Sequence, residues 1–186
     1  MLASAPVRSR RSDILAAAQR EFATAGWSGG RIERIAAAAA VNKQLLFHYF
    51  ESKEGLFTSA LEALLSRLDP ALPLSHDQPA DEIRGVLTNL ETALRDQPGL
   101  LAVVADARGP GFPSAAAAVV AGWRTATLAR LQRAIAEGQR RGYFRDDIDP
   151  RAVASLALAA ALGSSALGAG SDAGIGAWLV DYCAWR

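Results

Sequence analysis

The chain is poor in the residues that most chemistry uses. It has one cysteine, Cys183, and two histidines, His48 and His76. One thiol cannot close an intrachain disulfide, and two histidines so far apart give no zinc-ligand spacing. No glycine-rich phosphate loop or nucleophile–base arrangement is present. Asp146, Asp147 and Asp149 are close together, but the run lacks the glycine and distant glutamate of a calcium-binding loop and reads as a solvated turn before a helix cap. An enzyme is therefore not expected, nor is a metal or other cofactor. Strand-like alternation of apolar and polar residues is missing too, so the chain should be all-α. Met1 to Arg11 is polar and basic, with no apolar core for a signal peptide, which makes the cytoplasm the expected compartment. The stretch from Ala152 to Ser171 carries no charge and approaches a bilayer span in length. Alanine, glycine and serine dominate it, which favours a tightly packed helix over insertion in a membrane.

Hydrophobic residues make up 51% of the 186, enough to fill a sizeable core. The formal net charge is only +1, but it is unevenly spread: Met1 to Phe57 holds 8 Lys and Arg against 5 Asp and Glu, and the rest holds 12 against 14. The basic excess lies at the N-terminal end, where a polyanion would be met.

Helical periodicity places the elements. A first helix is expected from Arg10 to Ala25, with Ile14, Leu15, Ala18 and Phe22 inward and Gly26 as its stop. Trp27 to Gly30 reads as a turn, and a second helix follows from Arg31 to Ala39. Then comes the most informative stretch, Val41-Asn-Lys-Gln-Leu-Leu-Phe-His-Tyr-Phe-Glu-Ser-Lys-Glu-Gly-Leu-Phe57. Asn42 can cap a short helix that turns Lys43, Gln44, Leu45 and His48 outward and Val41, Leu46 and Phe50 inward. For Tyr49 and Phe50 the competing reading is a mostly core position, with only the Tyr49 hydroxyl exposed. Ser52 offers a second cap, and the helix it starts would present free N–H groups and a positive dipole end to a phosphate. Further helices are expected at Asp81 to Asp96, Gly99 to Ala107, Pro113 to Arg141, Pro150 to Leu167 and Asp172 to Trp185, about nine in all. A proline-punctuated loop runs from Asp69 to Pro79.

These residues resemble the TetR family of transcriptional regulators. The resemblance rests on Gly26-Trp27, Ile35-Ala36, Val41, Leu46, Tyr49-Phe50 and Ser52-Lys53-Glu54-Gly55-Leu56. It implies an N-terminal arm and three-helix helix-turn-helix module (1–51), a connecting helix (52–68), and a C-terminal helical domain for effector binding and dimerisation (69–186). Three positions depart from the family pattern: Ala40 stands where a turn glycine is usual, Phe47 where a tyrosine is, and the Gly30-Arg31 pair where a threonine begins the second helix.

The function implied is a ligand-responsive regulator that binds a palindromic operator in double-stranded DNA as a homodimer, as a repressor released by a small, largely apolar effector. No membrane partner is expected. The DNA-binding residues would be Arg10, Arg11, Arg31, Asn42, Lys43, Gln44, Leu45, His48, Tyr49 and Lys53. Gln44 can pair with adenine and Leu45 can rest on a thymine methyl. Leu101, Val104, Phe112, Trp123 and Thr127 are the expected effector contacts. Leu158, Ala161, Leu162, Ser165, Trp178, Leu179 and Tyr182 are the expected dimer contacts. The competing reading is a helical protein-interaction module that has lost DNA binding.

Overall fold

The structure, a computed structural model, describes residues 9–68, 78–96, 99, 103–104, 107, 109, 111–166 and 174–184, with backbone alone at 164–166. These residues form eight α-helices and one short 3-10 turn, with no strand among them. The helices are α1 (Arg10–Gly29), α2 (Ile32–Ala38), α3 (Lys43–Phe50), α4 (Lys53–Leu65), α5 (Pro79–Asp96), α6 (Ser114–Arg140), α7 (Pro150–Ala166) and α8 (Gly174–Ala184). The 3-10 turn, Ser66–Leu68, follows α4. The helix expected at Gly99 to Ala107 and the loop from Asp69 to Pro79 fall largely outside the described residues. No described helix is long and apolar enough to cross a membrane.

The chain separates into two compact units, one drawn from Met1–Arg67 and Ala102–Val119 and the other from Leu68–Leu101 and Val120–Arg186. In the first, Ser9 caps α1 by accepting from the Ser12 N–H at 3.2 Å. Ile14, Ala17, Ala18 and Phe22 recur at helical spacing and are buried. Gly26 interrupts the helix at φ 66°, ψ −175°, a conformation a side chain would resist, and Trp27 to Gly29 then resume helical geometry. Gly26 is thus a kink within α1, where the sequence suggested its end. The bend brings the Trp27 ring within 5.1 Å of Phe57, whose edge also meets Phe22 at 4.8 Å. Phe112 closes on Phe57 at 5.5 Å. Helix α4 packs on α1, and Gln19 ties the two by donating to the Ala60 carbonyl at 3.1 Å. The helix read from sequence as a connector is therefore built into this unit.

In the second unit, α5 buries Ile83, Val86, Leu87, Leu90 and Leu94 along one stripe and packs against α7 and α8. Gly176 permits the approach of α8, since a Cβ there would lie 3.2 Å from the Arg84 Cα and 3.4 Å from the Leu87 Cβ. Glu91 fixes the start of α8 by accepting from the Ile175 N–H at 2.8 Å. Between α6 and α7, Gln139 donates to the carbonyls of Arg145 and Ile148 at 3.0 and 2.9 Å. Phe144 is buried against Gly138. Asp149 caps α7 through the Arg151 N–H at 2.9 Å, with Pro150 at the first helical position, where its missing N–H costs nothing.

Candidate nucleic-acid interface

Two caps define α3 and the helix after it. The Asn42 carboxamide oxygen accepts from the Leu45 N–H at 2.8 Å, and the Ser52 hydroxyl accepts from the Gly55 N–H at 2.9 Å. Within α3, Leu46 and Phe50, one turn apart, are buried on the module's core, while Lys43, Gln44, Phe47, His48 and Tyr49 are exposed. Leu45 is half-buried. The helix thus has an anchored face and an open polar face, and its eight residues span about 12 Å at 1.5 Å each, short enough to sit in a major groove. Tyr49 does not join Phe50 in the core. It is 41% exposed and stands edge-on to His48 at 5.6 Å, because one residue further along a helix turns a side chain through about 100°.

The connection from α2 to α3 is a complete Schellman closure. The Val41 N–H donates to the Ala36 carbonyl at 3.0 Å and the Ala40 N–H to the Ala37 carbonyl at 3.1 Å. Ala40 occupies the left-handed position of that motif at φ 52°. Although no glycine stands there, the turn keeps its geometry and bears the strain of a Cβ.

Several cationic groups belong to the same unit as α3. Arg10, Arg11 and Arg31 are exposed, and the Arg11 guanidinium lies 5.2 Å from the centre of the Phe50 ring. Arg31 caps α2 with its backbone alone. The Lys53 ammonium sits 4.6 Å over the Trp27 ring at the N-terminus of α4. Lys43 is paired: its Nζ lies 2.5 Å from Oε1 of Glu33 on α2. Hydrogen bonding from Lys43 is the main cause that holds the Glu33 carboxyl below its ordinary range. Sequence reading missed Glu33. Its partner is ten residues away across the turn, outside the three- and four-residue spacings that reveal pairs within a helix.

The other expected sites are placed as follows. Val104 and Phe112 are in the first unit, with Val104 buried, and Leu101 is outside the described residues. Trp123 and Thr127 are buried one turn apart on α6 in the second unit, and the Thr127 hydroxyl donates to the Trp123 carbonyl at 2.9 Å. The Trp123 indole N–H is buried with no hydrogen-bond partner among the described residues. Of the expected dimer contacts, Leu158, Ala161 and Leu179 are buried within the chain, Leu162 is half-buried, and the Ser165 side chain is outside the described atoms. Among the described residues, the large apolar side chains that α7 and α8 leave open are Leu156, Trp178 and Tyr182, at 58%, 51% and 40% exposure. The Trp178 and Tyr182 rings stack at 5.6 Å, and the Arg145 guanidinium lies 5.8 Å from the Tyr182 ring. Among the described residues, no group of three or more His, Cys, Asp or Glu is placed to hold a metal ion.

Residues 14–60, from the core of α1 into α4, match the family model described as bacterial regulatory proteins, tetR family. The chain is 30% identical over 142 residues to the HTH-type transcriptional repressor NicS of Pseudomonas putida, covering 74% of this chain and 67% of that protein. The chain belongs to the TetR family. A second TetR-type relative, the HTH-type transcriptional repressor SCO4008 of Streptomyces coelicolor, is 33% identical over 147 residues, or 79% of this chain and 73% of that one. The fold also matches a crystal structure of a HlyIIR variant, with a TM-score of 0.77 at 20% identity, covering 95% of this chain and 96% of the other. As a TetR-family protein, the chain is a DNA-binding transcriptional regulator, and its relatives are regulators, not enzymes.

Proposed function

We propose that this TetR-family protein is a repressor that grips a palindromic operator as a homodimer and is released by a small, largely apolar effector. The observation that carries the reading is the division of α3: Leu46 and Phe50 lock it to the core while Gln44 and His48 stand exposed beside it. In this reading Gln44, His48 and Leu45 meet base edges in the major groove. Arg10, Arg11, Arg31, Tyr49 and Lys53 contact the backbone, and Asn42 holds the helix start. Residues 1–51 read the DNA, 52–68 support that module, and 69–186 bind effector and partner.

One short helix makes few base contacts, so discrimination calls for two copies on related half-sites. Leu156, Trp178 and Tyr182 supply the open apolar surface for a second copy. Trp123 supports the effector reading. A buried donor left unsatisfied costs roughly 1–3 kcal/mol, and a ligand carrying an acceptor atom would recover that cost. The effector is then largely apolar with at least one carbonyl, ether or carboxylate oxygen within reach of Trp123 and Thr127.

The test is selection of duplexes from a random-sequence pool, followed by a screen for small molecules that release the recovered duplex. A two-fold symmetric consensus and release by an acceptor-bearing apolar compound are expected. Recovery of no consensus would overturn the DNA-reading assignment in favour of a protein-interaction role.

A further inference from the structure

Glu33 is the second residue of α2 and Lys43 the first of α3, and their side chains meet at 2.5 Å while both remain more than half exposed. The pair therefore stands beside Gln44 on the face assigned to DNA with no net charge of its own. A phosphate that took the Lys43 ammonium would leave the Glu33 carboxylate bare against a polyanion, so the exchange is opposed. Cation–phosphate contacts add affinity for every duplex alike, whereas base-edge contacts favour one sequence.

We infer that Glu33 is a discrimination residue: by holding the Lys43 ammonium it withdraws one sequence-independent phosphate contact and leaves the protein's grip to depend on the base edges met by Gln44 and His48. The inference rests on α3 being the DNA-reading helix. It also gives Lys43 a different part from that of a plain phosphate contact, since removing Lys43 would weaken binding chiefly by unmasking Glu33.

The test is a double-mutant cycle of Glu33→Gln and Lys43→Gln on the full chain. Binding is measured over a salt series to the duplex recovered by selection with the wild-type protein and to a scrambled duplex of equal length. Glu33→Gln frees Lys43 for a phosphate, so the slope of log affinity against log salt should steepen by about 0.9. Between 50 and 200 mM salt the variant should accordingly lose about threefold more affinity than wild type. Its preference for the selected duplex should fall. In the Lys43→Gln background the same substitution should leave the slope unchanged, because no cation is freed.

An unaltered slope for Glu33→Gln, an equal change in both backgrounds, or an undiminished preference would overturn the inference and leave the DNA-reading helix in place. Failure of the wild-type protein to prefer any selected duplex would overturn both.

Discussion

The Lys53 ammonium lies over the Trp27 ring at 4.6 Å, at the first residue of the helix that would present its N–H groups to a phosphate. Trp27 is in turn held by Phe22 and Phe57, in a cluster made possible by the kink at Gly26. The ring thus serves the core on one side and positions a cation on the other. Trp27→Leu should weaken duplex binding by about 0.5–1 kcal/mol, the worth of an exposed cation–π contact, and the loss should shrink in a Lys53→Ala background. Equal losses in both backgrounds, measured by fluorescence anisotropy, would detach Trp27 from Lys53.

Gln44 stands on the open face of α3 and Leu46 behind it. Gln44→Ala should relax the base preference recovered from a random-sequence pool, at a cost of about 1–3 kcal/mol against the best duplex. Affinity for scrambled duplexes should hardly change. An unaltered preference would remove Gln44 from the readers.

Ala40 closes the α2–α3 turn at φ 52°. Ala40→Gly keeps the Schellman hydrogen bonds and relieves the Cβ, while adding some freedom to the unfolded chain. The balance should stabilise the protein by about 0.5–1 kcal/mol, seen as a higher urea midpoint at an unchanged slope. A lower midpoint would show that the turn carries no strain.

Gly138 faces the Phe144 ring so closely that a Cβ would overlap it, at 2.0 Å from Cδ2. Phe144 is itself buried, so the ring has little room to yield. Gly138→Ala should destabilise the protein by about 1–3 kcal/mol despite the better helix propensity of alanine. Gly122, with open space around its Cβ position on the same helix, is the control: Gly122→Ala should stabilise.

Burial pushes the Cys183 thiol up from 9.0 to about 11, against a smaller opposing pull from Arg145. The folded state therefore holds the thiol proton more tightly than the unfolded chain. Below pH 9 this group costs no stability, and between about pH 9 and 11 stability should fall as unfolding releases the proton. Alkylation by iodoacetamide at neutral pH should be slow in the native protein and fast in urea. Rapid native labelling would contradict the burial.

Trp178 and Tyr182 carry the proposed association. Trp178→Arg places a charge in that surface and should yield a monomer by sedimentation, with weakened operator binding and intact helicity. A Trp178→Arg dimer as tight as wild type would put the interface elsewhere.

What the sequence made legible was local. Asn42 and Ser52 announce the starts of α3 and α4 because a cap bonds an N–H three residues on, and Leu46 and Phe50 announce the inward face because they are one turn apart. What was less legible depended on distant parts of the chain. Leu158 and Leu179 were expected at a partner, but period alone does not say whether an apolar stripe meets its own chain or another; in the single chain both are buried. Tyr49 could be read either way from sequence because the last turn of α3 has core on one side only. The pairing of Glu33 with Lys43 required the turn's geometry, which Ala40 concealed by standing where glycine is usual.

If the proposed homodimer forms through them, the stacked rings of Trp178 and Tyr182 would be an optical gauge of assembly. An indole moved from water into a partner's surface emits at shorter wavelength, so dilution alone should shift the emission red as subunits part. The proposed association would then be measurable from the protein's own emission, with no label attached.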